Sequence, residues 1–231
     1  MQLFVAEEDV KTALAGITVQ DADAGMKASL QLSIACTHGT LSFTKAEPTW
    51  IKDFTGDTKM MQFSASLEGM NKAISEIAYT SAQDWNSDSN THDAITISVS
   101  DQGHSGDGGP QTTTKTIDVY VSSVNDAPVI SSPGAQTVDE DTTLQVSGLS
   151  VHDVDLAETY GSVLEVSLVV GHGSMSLSSI AGLFISEGSQ SGIGSELKFR
   201  GGEKSVNAAI SGLSYISSAN WNGADSLKMS V

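Results

Sequence analysis

The sequence contains an internal repeat, and this feature limits the possible folds more than any other. ISEIAYTSAQDWN (74–86) matches ISGLSYISSANWN (210–222) at an offset of 136 (210 − 74). EEDVKTALAGITVQDAD (7–23) matches DEDTTLQVSGLSVHDVD (139–155) at an offset of 132 (139 − 7). The small difference between the offsets indicates short insertions in loops. We therefore predict two homologous domains, residues 1–126 and 127–231.

Each copy has the pattern of an all-β domain. TALAGITV, ASLQLSIA, DAITISVS and TIDVYV in copy one, and TLQVSGLSV and VLEVSLVV in copy two, alternate apolar with polar residues, as half-buried strands do. One short helical stretch per copy, EGMNKAISEI and EKSVNAAISGL, interrupts them. Many short strands in about a hundred residues predict two tandem immunoglobulin-like, cadherin-like Greek-key β-sandwiches.

Copy two stops earlier in the repeat than copy one. DAITISVS continues into DQG and a last strand, TTTKTIDVYV, whereas DSLKMSV ends at Val231. Within these residues we expect copy two to lack its last strand and copy one to lack whatever precedes Gln2. We expect copy two to fray unless another segment supplies that strand.

The composition limits the classes of partner that this chain can bind. Eleven Lys and Arg against 28 Asp and Glu give a net charge of −17, which disfavours nucleic acid and anionic membranes. Cys36 is the one cysteine, so an intrachain disulfide cannot form, and its alternating surroundings predict a small buried side chain. No apolar run reaches the length of a membrane-spanning helix. A cation is the natural counterpart of clustered carboxylates, and calcium suits them best.

The acidic residues gather at the ends of the predicted strands in matching positions of the two copies. Glu7-Glu8-Asp9 corresponds to Asp139-Glu140-Asp141, and Asp21-x-Asp23 to Asp153-x-Asp155. Asp84-x-Asn86 corresponds to Asn220-x-Asn222. Because calcium takes six to eight oxygen ligands, several such loops must converge to bind it.

The segment ITISVSDQGHSGDGGPQTTTKTIDVYVSSVNDAPVI (95–130) resembles the end of a cadherin repeat. Both copies are similar to the cadherin-like tandem repeats of giant bacterial surface adhesins, through EDT (140–142), HGTL (38–41), GLSY (212–215) and VNDAP (124–128). This resemblance implies that one to three calcium ions bind where the two copies meet. The implied ligands there are Glu8, Asp84, Asn86, Asn125, Asp126, Asp153 and Asp155.

The same resemblance assigns the remaining acidic residues to neighbouring repeats. Asp21, Asp23 and Asp101 would face an upstream linker, and Glu140, Asn220 and Asn222 a downstream one. Ala127 stands where cadherins have a second Asn, so the number of ions stays open. Five carboxylates at one junction repel in close pairs by roughly 4 kcal/mol at about 4 Å, so calcium would stiffen a linker that otherwise hinges.

The resulting prediction is a calcium-rigidified structural or adhesive module of a long extracellular, cell-surface or secreted protein, without enzymatic activity. Its predicted partners are neighbouring repeats of the same chain and a homophilic, glycan or protein ligand. A binding module that uses its loops for carbohydrate or protein is the alternative. His38 and His172 are interpreted as repeated turn residues. Tyr79, Trp85, Tyr215 and Trp221 are interpreted as packing aromatics, and an independent ion in DWNSDSNTHD (84–93) is disfavoured.

Overall fold

The structure is a computed structural model that describes residues 3–22, 29–88, 91–103, 108–157, 161–187 and 190–231. These residues form mainly strands and loops, with two short α-helices. The all-β prediction is therefore confirmed. The chain divides into two compact units, which we call unit 1 (residues 1–124) and unit 2 (residues 125–231).

Unit 1 packs two sheets around one core. Its elements are β1 (Leu3–Glu7), β2 (Thr12–Ala13), β3 (Leu30–Cys36), β4 (Thr40–Phe43), β5 (Lys52–Gly56), β6 (Met60–Ala65), α1 (Leu67–Ser75), β7 (Ile77–Thr80), β8 (Asp93–Ser100) and β9 (Thr112–Ser122). The larger sheet has the order β1-β9-β8-β3-β6-β5, and the smaller has the order β2-β7-β4. β1 pairs with β9 in parallel, while the other pairs are antiparallel.

Alternation along the strands places the core of unit 1 between these sheets. Leu30, Leu32 and Ile34 of β3 are buried, whereas the residues between them are partly exposed. β9 changes character along its length, because its first five residues are exposed and only Ile117, Val119 and Val121 point into the core. Its second half therefore covers the edge of the sandwich.

Unit 2 repeats this plan with fewer strands in the larger sheet. Its elements are β10 (Val129–Ser131), β11 (Thr143–Val146), β12 (Ser150–His152), a 3-10 turn (Val154–Ala157), β13 (Leu164–Val169), β14 (Gly173–Ser176), β15 (Phe184–Glu187), β16 (Ile193–Gly194), β17 (Glu196–Gly201), α2 (Glu203–Ile210), β18 (Leu213–Ser217) and β19 (Lys228–Ser230). The sheets have the orders β15-β17-β13-β19, β11-β18-β14-β16 and β10-β12.

The order β8-β3-β6-β5 in unit 1 corresponds to β19-β13-β17-β15 in unit 2. In the part of unit 2 that the structure describes, no strand takes the places of β1 and β9. β19 accordingly pairs with β13 alone among the described strands. Unit 2 therefore has an open sheet edge at the position where unit 1 has its longest strand.

Each unit ties its helix to a preceding segment through one asparagine. The Asn71 side chain accepts a hydrogen bond from the Val19 N–H at 2.7 Å and donates one to the Val19 carbonyl at 3.0 Å. Asn207 does the same with Val151, at 2.8 and 2.7 Å. Backbone groups near the helix that have no strand partner are satisfied in this way.

Candidate functional site

Glu8, which directly follows β1, is one of two buried acidic residues among the described residues of unit 1; the other is Asp93. Glu8 is 3% exposed, and its carboxylate lies beside the Asn86 amide, itself 1% exposed, with both O···N distances at 3.4 Å. The Val124 N–H donates to the same carboxylate at 3.1 Å, and the Glu8 N–H donates to the Ser122 carbonyl. The end of β9 therefore covers Glu8 and holds it against the loop after β7.

Asp9 and Asp84 are distant in sequence, but they lie close together at the same end of unit 1. Their carboxylate oxygens lie within 4.8 Å of one another, and both side chains are exposed. Both residues have a positive φ, 56° for Asp9 and 52° for Asp84, a conformation that Asp tolerates better than most residues. The Asp9 N–H donates to the Ser81 hydroxyl at 2.9 Å, which fixes the first loop on the second.

Asp9 was not among the ligands predicted from the sequence. The repeat alignment contains a signal for it, because Asp141 stands at the equivalent position and also has a positive φ of 59°. Adjacent acidic residues in one turn do not reveal which of them turns outward, and that choice depends on the backbone conformation.

The residues assigned to an upstream linker lie elsewhere. Asp101 follows β8 at its far end, where its carboxylate accepts hydrogen bonds from the N–H groups of Gly103 and Gln111, both at 2.8 Å. β8 has eight residues, so its two ends are roughly 24 Å apart. Asp21 is half-buried in the described part of the chain, whereas Asp23 lies outside the described residues.

At the beginning of unit 2, three acidic residues meet around one turn. The Asp153 carboxylate accepts a hydrogen bond from the Asp155 N–H at 3.0 Å, as in an Asx-turn. The Asp155 carboxylate in turn accepts from the Asp126 N–H. The Asn125 side chain donates to the Asp126 carbonyl at 2.9 Å. The structure thus brings together Asn125, Asp126, Asp153 and Asp155, within unit 2.

The other end of unit 2 differs from the corresponding end of unit 1. Glu140 and Asn222, the counterparts of Glu8 and Asn86, are both exposed. The Asp141 carboxylate accepts a hydrogen bond from the Asn220 N–H at 3.0 Å, so these two loops still meet. The difference in burial arises because no strand of the β9 type covers this end in the described residues.

The described acidic residues of the loop between β7 and β8 have separate partners. Asp88 accepts hydrogen bonds from the hydroxyls of Tyr120 and Ser123, and these two bonds hold its pKa below the usual range. Asp84 points instead toward Asp9, and Asp93 toward the turn after β3. Carboxylates with such separate partners do not converge as the ligands of one calcium loop would.

Asp93 has a structural function that the sequence reading missed. Its carboxylate accepts hydrogen bonds from the N–H groups of Thr37, His38 and Gly39 and from the Tyr79 hydroxyl, at 2.8 to 3.1 Å. Burial by itself raises the pKa of Asp93, but these hydrogen bonds outweigh it and hold the pKa below its usual range. Burial and the bond to Asp93 raise the pKa of Tyr79.

Unit 2 repeats this arrangement around Asp225. Its carboxylate accepts hydrogen bonds from the N–H groups of Gly171 and His172 and from the Tyr215 hydroxyl, at 2.8 to 3.0 Å. Burial and that last bond raise the pKa of Tyr215 to about 12. An alignment of DAITIS with DSLKMS at the offset of 132 would have revealed the pair.

The two histidines of the repeated turns stack on tryptophans. His38 lies 5.0 Å from Trp85 and His172 3.7 Å from Trp221, between ring centroids, with nearly parallel planes. This supports their interpretation as turn residues. Cys36 ends β3, just before the first of these turns, and is half-buried rather than fully buried as predicted. Burial raises the pKa of its thiol to about 11, so the thiol is protonated at neutral pH.

The chemistry of these loops favours a hard cation. Their side chains offer carboxylate and amide oxygens, which calcium prefers, whereas zinc sites use histidine and cysteine. Among the described residues, no helix is both long and apolar enough to cross a membrane.

Comparison with known proteins finds similarity only among solved structures. The sequence matches no protein-family model and no curated protein. Similar solved structures are cadherin ectodomains: protocadherin gamma B7 domains 1–4 (17% identity, TM-score 0.27, 87% of this chain and 39% of that chain) and the human desmocollin-1 ectodomain (15%, 0.26, 85% and 32%). At these TM-scores the superpositions carry no weight, and the all-β assignment rests on the strands themselves. The chain spans about a third of the length of those structures.

Proposed function

We propose that this chain is a calcium-rigidified structural or adhesive repeat module of an extracellular protein. The observation that carries the proposal is the acidic end of unit 1, where the buried Glu8–Asn86 pair lies close to the exposed Asp9–Asp84 pair. Burying the Glu8 carboxylate costs free energy, and so does holding the Asp9 and Asp84 carboxylates close together. A bound cation would compensate both costs.

Calcium matches this end of the unit for two reasons. The four side chains offer only oxygen ligands once the amide oxygen of Asn86 is counted, and calcium accepts such mixed sets in irregular geometry. Two turns in the left-handed conformation present Asp9 and Asp84 outward, so the carboxylates are directed before any ion binds. Preorganised ligands lose little conformational entropy on binding.

The second part of the proposal is that unit 2 completes the coordination. Asn125, Asp126, Asp153 and Asp155 would supply the remaining oxygens, as the cadherin resemblance implies. Neutralising the combined charge would then restrict the linker, which Pro128 already stiffens at its unit 2 end. Glu140, with Asn220 and Asn222, would serve a following repeat, and Asp21, Asp23 and Asp101 a preceding one.

Calorimetric titration of calcium into the chain tests this proposal. Asp126→Ala should weaken binding by about tenfold or more, because it removes a ligand. Asp57→Ala is the matched control, since Asp57 is exposed in the turn between β5 and β6, where its carboxylate accepts hydrogen bonds from the N–H groups of Lys59 and Met60 in its own turn. Equal weakening in both variants would show that general surface charge attracts the ion.

A thermal melt gives a second measurement of the same proposal. Extracellular calcium modules bind with constants of roughly 10⁻⁴–10⁻³ M, and a hundredfold excess stabilises by about 2.7 kcal/mol per site. We expect calcium to raise the thermal midpoint and EDTA to lower it. An unchanged midpoint would overturn the proposal.

A loop-based binding module is the second candidate, and two exposed aromatic side chains of unit 1 favour it. Trp50 is 39% exposed, with the Lys72 ammonium 4.1 Å from its ring centroid, and Phe54 is 36% exposed. Exposed aromatics can stack on sugars or insert into a protein partner. A glycan array probed with the chain and with Trp50→Ala would detect a carbohydrate ligand.

A further inference from the structure

The exposed carboxylate of Asp88 joins the loop after β7 to the end of β9. It accepts hydrogen bonds from the Tyr120 hydroxyl and, at 3.1 Å, from the Ser123 hydroxyl. The Ser123 N–H donates to the same carboxylate at 3.4 Å. The His92 ring meets the Tyr120 ring edge-on, with 5.6 Å between the centroids. We call the contacts of Asp88 with Tyr120 and Ser123 the Asp88 clamp.

The Asp88 clamp lies directly beside two of the side chains proposed to bind calcium. The Asp88 N–H donates to the side-chain oxygen of Asn86 at 3.2 Å, which orients that amide. Val124, next to Ser123, donates its N–H to the buried Glu8 carboxylate at 3.1 Å. The clamp therefore connects the loop that carries Asn86 with the segment that covers Glu8.

A buried pair of hydrogen bonds joins the same two segments beneath the clamp. The Ser87 N–H donates to the Val121 carbonyl at 2.8 Å, and the Val121 N–H donates to the Ser87 hydroxyl at 3.0 Å. Both residues are buried, so these two bonds belong to the folded core of unit 1. Water competes for the exposed hydrogen bonds of the clamp, so their loss should leave the fold intact. The clamp can therefore affect the site while unit 1 stays folded.

We propose that Asp88 is a positioning residue for the calcium site of unit 1. Its clamp holds Asn86 and the segment over Glu8 in the arrangement that binds the ion, and Asp88 acts through these hydrogen bonds rather than as a ligand. Residues that orient metal ligands change metal affinity by about 10–100-fold when they are replaced. Ligands ordered in advance lose less conformational entropy on binding. This inference rests on the proposed calcium function.

Calorimetric titration of calcium into the full chain and its variants tests the inference. Asp88→Ala should weaken binding about tenfold. Tyr120→Phe, which removes only the hydroxyl, should weaken it about threefold. Ser123→Ala should weaken binding as well, whereas Ser123→Thr keeps the hydroxyl and should keep the affinity. Asn71→Ala is the control, because it destabilises unit 1 through the bonds between α1 and Val19 and should not change the affinity of the folded unit.

Hydrogen exchange in EDTA gives a measurement that needs no calcium. In Asp88→Ala and Tyr120→Phe, the N–H groups of Ser123 and Val124 should exchange about threefold faster or more, because this segment opens more often. The Val121 N–H, bonded to the buried Ser87, should exchange at an unchanged rate. Saturating calcium should slow exchange of the first two amides in the unaltered chain, since closure of the clamp and ion binding favour each other.

Each outcome decides the inference. Weaker binding in the Asp88, Tyr120→Phe and Ser123→Ala variants, with faster exchange at 123–124, supports it. Weaker binding in Asp88→Ala alone would make Asp88 a direct ligand, and unchanged affinity in all three would make the site independent of the clamp. Either result overturns the inference and leaves the proposed function standing.

Two further outcomes also overturn the inference. A comparable loss of affinity in Asn71→Ala would attribute the effect to the stability of unit 1 as a whole. An unaltered chain that binds no calcium would overturn the inference together with the proposed function.

Discussion

At the scale of single residues, one carboxylate in each unit stabilises a turn, the one after β3 in unit 1 and the one after β13 in unit 2. Asp93 and Asp225 do this through backbone N–H groups and a tyrosine hydroxyl. A charged acceptor shared by several donors gives strong hydrogen bonds, and burial makes its loss expensive. The acidic composition therefore has two functions, because some carboxylates are internal structural groups and others remain available for a cation.

We predict that Asp93→Asn lowers the free energy of unfolding of unit 1 by about 2 to 3 kcal/mol at neutral pH. The Asn side chain has one acceptor oxygen where Asp has two. Its NH₂ group would therefore face N–H or O–H donors and could not accept their hydrogen bonds. Because the pKa of Asp93 is below its ordinary value of 3.8, its stabilisation is present above that pH. It is lost as the pH falls through the depressed pKa.

Urea unfolding of both proteins in EDTA, followed by exchange of the core amides of unit 1, measures this effect. Asp57→Asn is the control, since it changes an exposed carboxylate that also accepts backbone hydrogen bonds. A destabilisation that persists unchanged at pH 3 would contradict the charge argument.

At the scale of elements, the helices are held by specific bonds as well as by an apolar face. α2 buries Val206, Ala209 and Ile210, and its Asn207 binds both backbone groups of Val151. Val151 is 1% exposed, so water cannot easily replace these bonds. The helix is too short to be stable alone, and these tertiary contacts therefore determine that it forms.

We expect Asn207→Ala to destabilise unit 2 by about 2 kcal/mol, because it leaves the N–H and the carbonyl of Val151 unsatisfied. Lys204→Ala changes an exposed residue of the same helix and should cost less than about 0.5 kcal/mol. Chemical denaturation followed by exchange of unit 2 amides compares the two variants. Equal stability of the two variants would show that apolar packing alone holds the helix, without the hydrogen bonds of Asn207.

At the scale of the whole molecule, the two units share a plan, but the larger sheet has more strands in unit 1 than in the described part of unit 2. Unit 1 closes its larger sheet with β9 and β1, whereas the sheet of unit 2 ends at the short β19. Apolar side chains beside an open edge contribute less to stability, because part of their surface stays in water. The units should consequently differ in stability.

We predict that the chain unfolds in two steps in EDTA and that unit 2 unfolds first. Scanning calorimetry should show two transitions, and hydrogen exchange should assign the lower one to residues 125–231. A single transition in which the amides of both units lose protection together would refute this expectation.

The sequence by itself determined the parts of this protein that depend on local pattern. Alternation in LQLSIAC and DAITISVS predicted strands, the two matched segments predicted two related units, and EGMNKAISEI and EKSVNAAISGL predicted the helices. The positions of acidic residues at strand ends could also be read directly, because each depends only on where a strand stops. Their assignment as calcium ligands stays a prediction.

Only the tertiary structure decided what each acidic residue contacts. Glu8 and Glu140 occupy the same place in the repeat, yet one is buried under the end of β9 and the other is exposed. The sequence places Asp93 at the start of the predicted strand DAITISVS, but the pairing of β8 with β3 brings its side chain to a turn more than fifty residues away in sequence. Burial and hydrogen-bond partners depend on strands that are distant along the chain, and a local pattern does not contain that information.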